Sequence, residues 1–192
     1  DKLCDLIADS ILDACLREDQ ASRVACEVMT TKGHIIVAGE ITCSKRIDVK
    51  FIVRRTLEKV GYKPHRFRIS VYLHQQSRDI AAGVDTAWEA RPDAPDGYSS
   101  ADSYDQIGAG DQGTVYGCAT NENRAMLPTP LLYAQRICKK LDECRTTRLI
   151  KGIKPDGKAQ VSVEYQELKP VRVSAVVVSI QHDKNMTRAA LE

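Results

Sequence analysis

The sequence predicts an α+β fold, in which repeated units of mixed or antiparallel sheet carry helices packed on one face. Helical and strand-like periods follow one another in the order helix, hairpin, helix, strand, loop, strand, helix, strand, strand. The 192 residues are 43% hydrophobic, which is enough for one full domain or two small ones. This order favours two related units, residues 1–77 and 108–192, separated by a loop at 78–107.

The predicted elements of the first unit come from clear periods. Apolar residues recur at helical spacing over residues 2–19, and two strand-like runs, RVACEVMT and HIIVAGEITC, follow. These runs meet at TKGH, a composition typical of a tight hairpin turn. DVKFIVRRTLEKVGY returns to helical spacing and is expected to end at Gly61, because glycine favours the end of a helix. FRISVYL then alternates as a strand does.

The loop and the second unit are marked by composition. RPDAPDGYSSADSYDQ is rich in Pro, Asp, Gly and Ser and has no regular period, which predicts a long mobile loop over residues 78–107. Loops of that length in compact chains often act as lids. TVYGCAT predicts a short strand, and Thr129-Pro130 predicts the start of a helix. AQVSVEY and VRVSAVVVSI predict two final strands.

Composition also excludes several classes of function. A formal charge of +2, from 28 basic and 26 acidic side chains, argues against a broad nucleic-acid surface. No apolar run approaches the roughly 20 residues that a membrane span needs. The seven cysteines include no C-x-x-C pair, so we interpret them as reduced, mostly buried thiols of a cytoplasmic protein. Cys118 is expected to serve packing, and the histidines show no metal-binding spacing.

The stretch GAGDQG, residues 108–113, matches the dinucleotide-binding pattern G-x-G-x-x-G. That pattern requires a buried strand before it, a helix after it and an acid about 20 residues further on. SYDQI precedes the glycines and strand-like TVYGCAT follows them, so a dinucleotide oxidoreductase is disfavoured. A glycine-rich turn is the simpler interpretation at this point.

The predicted hairpin places two carboxylates on one face. If Lys32 and Gly33 form a two-residue turn, facing positions sum to 65, and Glu40 lies opposite Ala25 on the face of Glu27. Two acids on an otherwise apolar face are costly to bury unless a cation or an ammonium group compensates them. Both acids facing solvent remains the alternative.

Eight segments together resemble the methionine adenosyltransferases, also called S-adenosylmethionine synthetases. They occur in that family's order and at about its spacing: DKLCDLIADSILDA, ACEV, GEIT, QQSRDIAAGVD, GAGDQG, YGCATNE, KPDGKAQV and SIQHD. The resemblance covers nearly the whole chain. It implies three similar α+β domains in the complete family monomer, of which this chain would hold most of the first two and lack the third.

The resemblance implies roles for seven residues. It makes Asp1 a Mg²⁺ ligand and Glu27 the K⁺-associated glutamate. Glu40 and Gln76 match residues that hold methionine, the latter at the entry to the family's mobile active-site loop. The residues matching the ATP site are Asp111, Asp156 and Lys158, of which Asp111 and Lys158 are taken as catalytic. Asp156 is equally well explained as a turn residue in P-D-G.

The family joins ATP to L-methionine and then hydrolyses the released triphosphate, using Mg²⁺ and K⁺. Its sites lie between subunits of a dimer or a dimer of dimers, which implies homo-oligomerisation. If residues 1–192 are the complete protein, the missing third domain predicts little or no synthesis of S-adenosylmethionine. If they are part of a longer chain, the full enzyme is expected. A non-catalytic nucleotide-binding or assembly module remains the alternative.

Overall fold

The computed structural model describes residues 2–91 and 106–191. These residues form two compact units, Asp1–Thr114 and Val115–Glu192. The α-helices lie at α1 (Lys2–Glu18), α2 (Val49–Val60), α3 (Arg78–Val84), α4 (Thr129–Thr146) and α5 (Arg188–Leu191). The strands lie at β1 (Arg23–Thr31), β2 (His34–Thr42), β3 (Arg68–His74), β4 (Ile153–Gln166) and β5 (Lys169–His182).

The first unit is a three-stranded mixed sheet in the order β1-β2-β3, with helices on one face. The pair β1 and β2 is antiparallel, whereas β2 and β3 are parallel. The core consists of the inward faces of α1, α2 and β2, which contribute Ile7, Ile11, Cys15, Ile35, Val37, Val49, Val53 and Leu57. Strand alternation turns one face of the sheet towards α1 and α2 and the other face away from them.

The caps of α2 explain its limits. The Asp48 side chain accepts a hydrogen bond from the Phe51 amide at 3.0 Å, which satisfies one free donor of the first turn. Gly61 ends the helix in the left-handed conformation, with φ at 103°, as the sequence predicted.

The second unit is a two-stranded antiparallel sheet of β4 and β5, packed against α4. A two-stranded sheet is marginally stable by itself, so α4 supplies the burial that it needs. Buried residues here are Thr129, Cys144, Ile153 and Val161. Both units therefore confirm the predicted α+β architecture of mixed and antiparallel sheets with helices.

Three local predictions are wrong. Residues 78–90 are not structureless, because they form α3 and a 3₁₀ turn at Trp88–Ala90, and Ser77 caps α3 by accepting from the Ile80 amide at 3.3 Å. TVYGCAT forms no strand, since it pairs with no strand in the part of the chain that is described. The expected mobility of residues 92–105 lies outside the described residues.

The third correction concerns the cysteines, all of which are free. Only Cys15 and Cys144 are buried, whereas Cys118 is exposed within the irregular segment that was predicted to be a strand. Partial burial raises the pKa of Cys26 to about 11, and full burial raises the pKa of Cys15. Those two thiols therefore stay protonated and behave as packing groups.

Within the described residues, no helix is long and apolar enough to cross a membrane.

Candidate functional site

The face of the first sheet that points away from α1 and α2 carries the predicted carboxylates. Thr31 pairs with His34 across a two-residue turn, so Ala25 lies opposite Glu40 and Glu27 lies opposite Ala38. The predicted register is therefore confirmed, and Glu27 and Glu40 share one face. The parallel pairing of Glu40 with His74 extends this face onto β3.

The two carboxylates differ in their surroundings. Glu27 is exposed, whereas the Glu40 side chain is only 30% exposed, and its Oε1 lies 3.3 Å from Nε2 of His74. The alternative that the sequence left open, in which the acids face solvent, is therefore correct for Glu27. Glu40 is the partly enclosed acid, positioned to accept from a cationic group.

Gln76 joins this face through Arg23, which sequence reasoning missed. Nε of Arg23 donates to Oε1 of Gln76 at 3.1 Å, and a second nitrogen, Nη1, lies 2.5 Å from Oδ1 of Asp85. Arg23 has the parity of Glu27 on β1 and therefore projects to the same face. That period-two spacing from Glu27 was the signal available in the sequence.

The end of the segment that follows Gln76 lies beside the start of the segment that contains GAGDQG. The Ala87 amide donates to the Gln106 carbonyl at 2.9 Å, which brings these two backbone positions together. Gly108 lies against α3, so closely that an added Cβ would overlap the Val84 carbonyl oxygen and lie 2.9 Å from its carbon. The first glycine of GAGDQG is therefore needed for close packing against α3.

Asp111 lies in the first unit, just beyond this packed glycine. It is exposed, and its Oδ1 accepts from the Gln112 amide at 2.7 Å. An added Cβ at Gly110 or Gly113 would meet no described atom within 4 Å. The end of GAGDQG is thus open, with a carboxylate and backbone amides available to a ligand.

Asp156 and Lys158 lie in the second unit, on β4. Ile153 pairs with His182 and Gly157 with Ile180, so residues 154–156 form an irregularity in a continuing strand. The P-D-G segment consequently does not reverse the chain, as a tight turn would. Both side chains are exposed, and neither forms an ion pair with a described residue.

Glu122, in the YGCATNE segment, was also missed. Its Oε2 accepts from the Thr129 amide at 3.0 Å and from the Tyr165 hydroxyl at 2.8 Å. The hydrogen bonds from Thr129, followed by the one from Tyr165, lower the pKa of Glu122. Glu122 thereby caps α4, whose N-cap residue Pro128 has no side-chain acceptor. Its spacing from the helix start is too long for a standard capping box.

Metal-binding groups are sparse among the residues that the structure describes. No group of three or more His, Cys, Asp or Glu side chains among the described residues is arranged to hold a metal ion. Glu27 offers a single exposed carboxylate, and Asp1 lies outside the described residues.

Two family models match the chain over most of its length. The model of the S-adenosylmethionine synthetase N-terminal domain matches residues 1–81, and that of the central domain matches residues 106–192. The chain belongs to the S-adenosylmethionine synthetase family. It is 42% identical over 193 residues to the S-adenosylmethionine synthase of Finegoldia magna, across 97% of this chain and 48% of that relative. The chain thus spans about half the length of the curated relative that it matches.

The two S-adenosylmethionine synthetase models match separate parts of the chain. They leave residues 82–105 between them, whereas the two compact units divide at Thr114. GAGDQG therefore lies near the start of the central-domain match, while it packs with the first compact unit through Gly108.

Proposed function

We propose that this chain carries the N-terminal and central portions of an enzyme that makes S-adenosylmethionine from ATP and L-methionine. The observation that carries the proposal is the match of two successive synthetase domain models, in order, over residues 1–81 and 106–192. The methionine sulfur attacks C5′ of ATP and displaces triphosphate, which is then hydrolysed to diphosphate and phosphate. Residues 1–77, 78–107 and 108–192 act as first domain, active-site loop and second domain.

The chemistry asks for positioning rather than for a general base. Thioether sulfur is a neutral and polarisable nucleophile that has no proton to lose. As the sulfur becomes cationic, negative charge collects on the departing triphosphate. The site therefore needs acceptors around methionine and donors around phosphate, aligned for attack.

Glu40 and Gln76 bind methionine in this proposal. Their support is that Glu40 is partly enclosed and that Gln76 joins the same sheet face through Arg23. The Glu40 carboxylate binds the substrate ammonium group, and Gln76 hydrogen-bonds to the amino-acid end.

ATP is bound by Asp111, Asp156 and Lys158. All three are exposed, and Lys158 forms no ion pair with a described residue, so its ammonium group is available to phosphate. Asp111 and Lys158 make the catalytic contacts, with Lys158 stabilising charge on the departing triphosphate.

Mg²⁺ and K⁺ are the proposed cofactors. Oxygen-ligated Mg²⁺ suits polyphosphate, and Asp1 supplies one carboxylate to it, while Glu27 supplies one to K⁺. A single carboxylate is an incomplete site, so further ligands come from substrate, water or another subunit. The free cysteines agree with a cytoplasmic location.

The sheet face that bears Glu27 and Glu40 supports self-association as a dimer or a dimer of dimers. Met29 and Tyr72 lie on this face and are 57% and 65% exposed. Exposed apolar side chains on the same face as a partly enclosed acid are typical of an interface that contains a site. In this proposal the sites lie between subunits.

The test is an assay of the native-length protein with ATP, methionine, Mg²⁺ and K⁺. S-adenosylmethionine and phosphate should appear, and Asp111→Asn or Lys158→Met should lower kcat by about 100-fold, as for loss of a transition-state contact. Lys169→Met, at an exposed lysine of β5 with no ion pair to a described residue, is the control. Full activity of both site variants would contradict these assignments.

A second candidate is a non-catalytic nucleotide-binding or assembly module. The observation that favours it is the open end of GAGDQG, where the exposed Asp111 carboxylate suits a bound nucleotide whether or not turnover follows. It predicts ATP binding or pairing with a complete subunit, without turnover. Isothermal titration with ATP beside the product assay distinguishes the two.

A further inference from the structure

Arg23 links two parts of the first unit that are distant in sequence. Its Nε donates to Gln76, which follows β3, while its Nη1 pairs with Asp85, which ends α3. The guanidinium is a rigid plane of donors, so one side chain holds both partners in a fixed relation. The Arg23 side chain is 35% exposed, which leaves the contacts only partly screened by water.

The contact determines how Gln76 is oriented. Arginine has donors and no acceptor, so the atom of Gln76 that faces Arg23 must be Oε1. The two N–H donors of Nε2 therefore point elsewhere, and none of the described residues accepts from them. Without Arg23, the amide rotates freely between orientations that offer an oxygen or a nitrogen to a ligand.

The other contact anchors α3. None of the residues of α3 is buried, so polar contacts rather than apolar burial hold this helix. Asp85 ends it, and the Asp85 amide donates to the Ala81 carbonyl at 2.9 Å. Arg91 adds a hydrogen bond from Nη2 to the Gly83 carbonyl at 2.6 Å, and its guanidinium lies 5.8 Å from the Trp88 ring centroid.

We propose that Arg23 is a positioning residue that orients Gln76 for methionine and couples it to the docking of α3. The inference rests on the proposed function for the identity of the ligand. Methionine that hydrogen-bonds to Gln76 stabilises the Arg23–Gln76 arrangement, and through Asp85 it stabilises docked α3 at the base of the active-site loop.

The kinetic test uses Arg23→Lys in the native-length protein. Lysine keeps the charge but has one donor centre, so it cannot serve Gln76 and Asp85 in the same geometry. We expect KM for methionine to rise about tenfold, the size of one lost charge-assisted hydrogen bond, with kcat within about twofold and KM for ATP unchanged. Arg54→Gln is the matched control, because Arg54 is an exposed arginine without an ion pair to a described residue.

A double-mutant cycle separates positioning from general destabilisation. If Arg23 acts through Gln76, then Arg23→Lys in a Gln76→Ala background should raise KM for methionine no further than Gln76→Ala does. Effects that multiply in the double variant would overturn the inference. An unchanged KM in Arg23→Lys would overturn it as well.

Trp88, the only tryptophan of the 192 residues, reports on α3 without any need for turnover. Arg23→Lys and Asp85→Asn should both shift its emission to longer wavelength and increase its quenching by acrylamide, with a Trp88→Phe protein as the blank. Methionine should have the opposite effect on the unsubstituted protein and a smaller one on either variant. If no S-adenosylmethionine forms, the proposed function fails, while an unchanged Trp88 signal in both variants refutes the coupling by itself.

Discussion

Gly108 and Gly110 belong to one motif, but glycine is suited to the two positions for different physical reasons. A side chain at Gly108 would overlap the backbone of Val84, whereas a side chain at Gly110 would enter open space. Backbone cannot move aside as a flexible side chain does. The G-x-G-x-x-G pattern therefore combines one packing glycine with glycines that leave room beside Asp111.

This contrast predicts the effect of two alanine substitutions. Gly108→Ala should lower the free energy of unfolding by about 2 kcal/mol and undock α3, because the clash is with backbone. Gly110→Ala should change it by less than about 0.5 kcal/mol. Urea unfolding followed by Trp88 fluorescence measures both, and equal stabilities of the two variants would contradict the packing role of Gly108.

Glu122 predicts a dependence of stability on pH. Its pKa in the folded protein is held below the ordinary 4.5 by Thr129 and Tyr165. The stabilisation is therefore present above about pH 4.5 and is lost as pH falls through the folded pKa. The melting temperature of Glu122→Gln should lie below that of the unsubstituted protein at pH 7, and the gap should narrow towards pH 3. A gap of constant size would show that the carboxylate charge is not involved.

At the scale of elements, helices α2 and α3 are capped alike but anchored differently. Asp48 and Ser77 each accept a backbone hydrogen bond at a helix start. However, α2 buries Val53 and Leu57 in the core, whereas α3 buries none of its residues. Loss of a cap should therefore have global consequences for α2 and local ones for α3.

Hydrogen exchange and denaturation distinguish these outcomes. Asp48→Ala should lower the free energy of global unfolding by about 1 kcal/mol, the usual value of an N-cap. Ser77→Ala should leave global unfolding unchanged and accelerate amide exchange in α3 alone. A global loss of stability in Ser77→Ala would mean that α3 unfolds together with the core.

At the scale of the whole molecule, the main feature is the sheet face opposite α1 and α2. It combines exposed Met29 and Tyr72 with the acids proposed for methionine and K⁺. Exposed apolar side chains grouped on one sheet face make it an expected contact surface. Assembly and catalysis would then depend on the same residues.

Charged substitutions on that face test whether assembly and catalysis depend on the same residues. Met29→Asp with Tyr72→Asp should convert the native-length protein to monomers in sedimentation velocity and abolish synthesis, because charge buried in an interface is costly. Leu168→Asp is the control, since Leu168 is 91% exposed in the β4–β5 turn. A double variant that stays oligomeric and active would place the interface elsewhere.

Local sequence patterns were enough to predict the elements that are determined by interactions between neighbouring residues. The hairpin register followed from a two-residue turn, which placed Glu27 and Glu40 on one face, and the end of α2 followed from Gly61. Such features depend on period and turn geometry within a few residues. The identity of the family, likewise, was evident from eight ordered segments.

The features that depend on contacts between distant residues were either missed or wrongly predicted from the sequence. TVYGCAT has the composition of a strand and no partner strand among the described residues, while α3 formed where composition suggested only loop. Glu122 caps α4 from seven residues away, measured to Thr129.

The sequence by itself thus determined the fold class, the hairpin and the family, because periodicity and ordered motifs are written along the chain. Only the tertiary structure joined Arg23 to Gln76, 53 positions away, and to Asp85. It also put Gly108 against Val84. These are contacts between groups that no local period relates, and folding alone brings them within hydrogen-bonding or van der Waals distance.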